Sequence, residues 1–119
     1  MNKTEYSLQL VRFMNKLTND TRTAIAETGR KFDRVFFITG AQKSVRYFIA
    51  KRDVDGHPAG SIFGAKSVLA PNMNWYFGTL STIDKWNWDG YHGEPVNDDT
   101  VELAKAYGGY KHYRLKAKP

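Results

Sequence analysis

Gly40-Ala41-Gln42-Lys43-Ser44 follows an apolar run and carries the Lys-Ser pair that phosphate-binding loops use. Those loops also need a Gly directly before the Lys and another at a fixed distance upstream, so that backbone N–H groups can cradle the phosphate. Gln42 stands in the first place and no Gly in the second. The segment therefore reads as a hairpin turn with an exposed lysine. His57, His92 and His112 lie far apart, and none has a partner four residues away, as a helical zinc site requires. The chain has no cysteine, which removes thiolate chemistry, a disulfide framework and Cys-based zinc sites. No Gly-x-Ser-x-Gly elbow is present to carry a serine nucleophile.

From Asp84 to Glu102 six acids (Asp84, Asp89, Glu94, Asp98, Asp99 and Glu102) face only Lys85. Hard cations want several oxygens, but this spacing matches no calcium loop, and Asp98 or Asp99 suits the start of a helix. We expect no metal, no cofactor and no enzymatic activity.

The basic and aromatic residues form a more telling set. Between Arg30 and Lys66 eight basic residues meet three acids, and Lys111, Arg114, Lys116 and Lys118 close the chain with no acid among them. In Val45–Arg52, strand alternation puts Arg46, Phe48, Ala50 and Arg52 on one face and Val45, Tyr47, Ile49 and Lys51 on the other. A face that mixes rings with cations suits single-stranded nucleic acid, where bases stack on aromatics and Arg or Lys neutralises phosphate. The expected contacts are Arg46, Phe48, Lys51, Arg52, Phe63, Lys66, Lys111 and Arg114. In the competing reading Phe48 and Phe63 are core, with Arg46 and Arg52 on the rim.

All three tryptophans fall between Asn72 and Tyr91. Strand alternation makes Trp75 or Tyr76 a core anchor, and Trp86 pairs with Ile83. Trp88 and Tyr91, beside His92 in a Gly- and Asp-containing loop, are expected at the surface as a ligand or protein contact. On that reading Trp88→Ala costs under about 1 kcal/mol.

These residues need elements to hold them. Leu10, Val11, Met14 and Leu17 mark one face of a helix from about Thr4 to Leu17. A second helix is expected over Thr21–Thr28, stopped by Gly29; one long helix bent at Asn19 is the alternative. From Arg34 the period becomes two, with strands Arg34–Thr39, Val45–Arg52, Ser61–Ser67 and Trp75–Leu80. Their short connections favour antiparallel neighbours. Ser81–Asp84 reads as a capped helical turn, Asp89–Asp98 as a loop, and Asp98 or Asp99 to Tyr107 as a further helix. The tail from Tyr110 to Lys118 reads as a last strand or a mobile segment.

The 119 residues, 41% apolar with 17 aromatics, suffice for one core and argue against disorder. No run approaches a membrane span, and Met1–Tyr6 lacks the apolar centre of a secretory signal. A net charge of +6 and the absence of cysteine fit a cytoplasmic protein with an anionic partner. The expectation is one α+β domain: N-terminal helices (1–31) packed on one face of a small antiparallel sheet of four or five strands (34–80). A loop and helix (81–109) and a basic tail (110–119) follow.

In size and lack of motifs the chain resembles the small proteins encoded by tailed phages. Two functions remain open. One is a non-enzymatic domain that binds single-stranded DNA or RNA. The other is a phage-type protein or small-ligand binder that inhibits a host enzyme or defence system through the Trp88–His92 loop and the acidic stretch.

Overall fold

The computed structural model describes residues 1–96. The expected helix ending at Tyr107 and the basic tail, with Lys111 and Arg114, lie outside the described residues. The architecture is α+β: one N-terminal helix packed on a five-stranded antiparallel sheet, with a small two-stranded ribbon beside it.

Helix α1 (Lys3–Leu17) begins at Asn2, whose side chain accepts the backbone N–H of Glu5 at 2.8 Å and so satisfies one of the first turn's free donors. Its buried stripe is Phe13 and Leu17, flanked by Tyr6, Leu10 and Met14. Val11 stays 59% exposed, so the packing face is rotated from the expected one and centres on Phe13.

The second helix expected over Thr21–Thr28 is instead strand β1 (Thr23–Glu27). Its pairing with β2 (Phe32–Thr39) outweighs the helix propensity of Ala24 and Ala26, and the small Ala24 stands opposite the bulky Phe37. Strands β3 (Gln42–Ala50), β4 (Ser61–Ser67) and β5 (Ala70–Thr79) follow in sequence order. Gly40, at φ 60°, opens the two-residue β2–β3 turn in the left-handed conformation this connection needs. A 3-10 helix (Leu80–Lys85) carries a Thr79–Thr82 capping box, and β6 (Trp86–Asn87) pairs with β7 (Glu94–Pro95).

The sheet is irregular in several places, and the β4–β5 ladder alone shifts register between Ser61 and Phe63, Phe63 and Gly64, and Ala65 and Ser67. Between Val35 and Phe36 the β2–β3 register slips, leaving Arg46 as the extra residue of a bulge. The β3–β4 ladder pairs only Tyr47–Ile49 of β3, and on the Tyr47 side, toward Arg46 and Ala65, the strands part. The β4–β5 tip then bends over the sheet, and the Arg34 guanidinium holds the Val68 carbonyl at 2.9 Å.

Register partners share a face, so Val35, Tyr47, Ile49 and Ile62 point toward α1. There Tyr47 touches Phe13, Phe37, Phe77 and Trp88 with ring centroids 5.1–6.2 Å apart. Phe48, Phe63 and Tyr76 occupy the opposite face, where Phe32 and His57 cover them.

Candidate anion-binding groove

Asp33 organises the sheet end at which α1 begins. It is buried, accepts the Tyr6 hydroxyl at 2.8 Å, and lies 3.9 Å from the Lys51 ammonium. Burial, followed by the bond to Asp33, pushes the Tyr6 hydroxyl well above its usual pKa, so Tyr6 stays protonated and donates. Lys51 also donates to the Gly29 carbonyl at 3.0 Å. One carboxylate thus links the helix, the β1–β2 loop and the end of β3.

Three adjoining cavities of about 470, 450 and 390 Å³ open around this anchor. Arg30 lines all three. Lys31 and Phe32 line the first two, Arg52 the first and third, and Lys3 the third. Against these cations the cavities present a single acid, Asp53. Lys3, Arg30, Lys31 and Arg52 are exposed and make no ion pair with any described residue. Arg34 and Lys51, by contrast, pair with Glu27 and Asp33. Phe32 is half-buried, set edge-on to Phe48 and Phe63, and forms an apolar patch among the cations.

The expected contact residues divide between this groove and other places. Arg52 and Lys51 belong to it. Phe48 and Phe63 are buried, as the competing reading expects of these two rings, and neither offers a free stacking face. Arg46 lies elsewhere, stacked between Tyr91 and Phe37 with its guanidinium carbon 4.2 Å and 5.4 Å from their centroids. Lys66 is exposed near the end of β4. The single face of alternating cations and rings is therefore not formed, because the bulge re-aims Arg46 and the β4–β5 tip and the His57 loop cover the aromatic rows.

Trp88 is also a correction. It is 3% exposed, packed on Phe13, Tyr47, Phe77 and Trp86, with its indole N–H donating to the Ile83 carbonyl at 2.8 Å. The cause is Arg22, which donates to the carbonyls of Leu17, Trp88 and Gly90 and so draws the loop onto the core. Tyr91, at 71% exposure, and half-buried His92 remain at the surface. Asp84, counted in the acidic stretch, is held by Arg12 and Lys16, and the Arg12 bond keeps its carboxyl below the usual range.

Charge counting alone points to Arg30 and Lys31 only as members of the basic block. Their convergence with Lys3 and Arg52 depends on loops that the sheet brings to one end. No protein-family model, curated protein or solved structure matches the chain. No helix among the described residues is long and apolar enough to cross a membrane.

Proposed function

We propose that the protein binds single-stranded nucleic acid, DNA or RNA, in the groove around Arg30, without catalysing a reaction on it. The observation that carries this reading is that Arg30 walls three adjoining cavities, with Lys3, Lys31 and Arg52 beside it and no acid paired to any of them among the described residues. Cations left without internal partners gain most from a polyanion, because each phosphate they meet releases condensed counterions. Phe32 supplies one ring for a base to stack on, and the open groove suits a flexible strand better than a rigid duplex. Lys111 and Arg114 add sequence-independent charge to the same interaction. Such a partner fits a cytoplasmic protein.

The rival reading, an inhibitor of a host protein, loses Trp88 to the core and Asp84 to internal ion pairs, and keeps Tyr91 as its exposed anchor. Purification discriminates the two. Protein washed at low salt should carry nucleic acid visible in its absorbance ratio, and high salt should strip it. Protein that is clean at low salt and binds no added oligomer refutes the nucleic-acid reading.

A further inference from the structure

A second site lies away from the groove, where β3 and β4 part. Beyond Tyr47 the two strands separate, and β5 carries three extra residues, 73–75, between the partners of Phe63 and Gly64. The resulting fork holds a cavity of about 150 Å³ walled by Arg46, Tyr47, Trp75, Phe77, Tyr91 and His92. An apolar cavity of about this size takes a single benzene ring. Here the walls are mostly aromatic, which favours a planar guest over a branched aliphatic one.

The polar feature of this cavity is Arg46. Its Nε is buried and donates to no described protein atom, and the guanidinium makes no ion pair with a described residue. Buried donors normally have partners, and a guanidinium is built to meet a carboxylate or phosphate through paired N–H groups. Arg22 strengthens the positive field. It too lies over the Phe37 ring, 4.1 Å from its centroid, and its own hydrogen bonds go to carbonyls, not to an acid. Tyr91, exposed to solvent and with its ring centroid 4.2 Å from the Arg46 guanidinium carbon, supplies an aromatic edge to the cavity.

We propose that this fork binds a single planar six-membered ring carrying an anionic oxygen group, with Arg46 meeting the anion and Tyr47, Trp75 and Phe77 enclosing the ring. A free aromatic carboxylate carries the anion on the ring itself, whereas a pyrimidine nucleotide offers a planar six-membered ring with its phosphate set apart by the ribose. The site is independent of the Arg30 groove and stands whether or not that groove binds nucleic acid.

The experiment uses the full chain in an NMR titration at low salt, following the indole N–H of Trp75 and the backbone amides of Tyr91 and His92. Benzoate should shift these signals saturably, with a Kd on the order of 1 mM. Benzamide, which keeps the ring and loses the charge, should bind at least about tenfold more weakly, and Arg46→Gln should weaken benzoate by a similar factor. Ala65→Leu, which fills the cavity from another wall, should abolish binding while leaving Arg46 in place. Tighter binding of uridine monophosphate than of benzoate assigns the site to a nucleotide; the reverse order assigns it to a free aromatic acid. The proposal is overturned if neither ligand gives a saturable shift at about tenfold above that Kd. It is equally overturned if benzamide matches benzoate, or if both variants bind as the wild type does.

Discussion

Trp75 lies across Gly64, so closely that a Cβ on Gly64 would come within 3.0 Å of three atoms of the indole ring. The contact belongs to the fork between β3 and β4: the bulge in β5 carries Trp75 over the strand, and the missing side chain at position 64 makes room for it. Gly64→Ala forces the ring to move and should cost about 1–3 kcal/mol, the usual range for overpacking a filled site. Chemical denaturation checks this, and an unchanged midpoint would show that Trp75 is not seated on Gly64.

Trp88→Ala should be far more damaging than its loop setting suggests. The indole fills the space between α1 and the sheet and donates to Ile83, so its removal leaves a cavity and an unpaired carbonyl. The expected loss is about 3–5 kcal/mol. A loss under about 1 kcal/mol in the same denaturation measurement would return Trp88 to the surface.

His57 should make stability fall on mild acidification. Its ring is buried against Phe63 and Tyr76, and burial pushes its pKa below the ordinary value of 6.5, with Asp55 acting in the opposite direction. The unfolded chain then binds more protons than the folded one as pH drops below about 6.5, so stability is full above that pH and is lost beneath it. His57→Phe keeps a ring in place and removes the titration. The wild type should lose more melting temperature than His57→Phe between about pH 7.5 and about pH 5.5. Equal losses would show that His57 ionises as freely in the folded protein as in the unfolded chain.

Much of this architecture is legible in the sequence, and the parts that are not share a cause. The period-two runs through Phe36 and Phe48 are strands because β-branched and aromatic residues alternate there with nothing to compete. Helix α1 is legible as a helix, but its buried face is not. Val11 and Phe13 are both apolar, and only the sheet beneath decides that Phe13 goes in. Ala24-Ile25-Ala26 has acceptable local energies as helix or strand, and the ladder to β2 settles it. Trp88 is read wrongly because its partner Arg22 lies 66 residues away. The groove is half legible: the excess of positive charge is visible, whereas the meeting of Lys3, Arg30 and Arg52 requires Asp33 to tie three chain segments together.

The proposed binding of a nucleic-acid strand rests on the cations around Arg30, which are unpaired among the described residues. Its most direct test is the salt dependence of binding to a fluorescent single-stranded oligomer, read by anisotropy on the full chain. Lys3, Arg30, Lys31 and Arg52, each neutralising a phosphate, should contribute about −3 to the slope of log K against log salt, at about −0.7 per phosphate, and Lys111 and Arg114 should steepen it further. Arg30→Ala combined with Arg52→Ala should reduce that slope by about 1.4, and Arg46→Ala, outside the groove, should leave it unchanged. Circular dichroism melts of each variant establish that the fold is intact. No binding at low salt to either DNA or RNA, or a slope that the double variant does not change, would contradict the account.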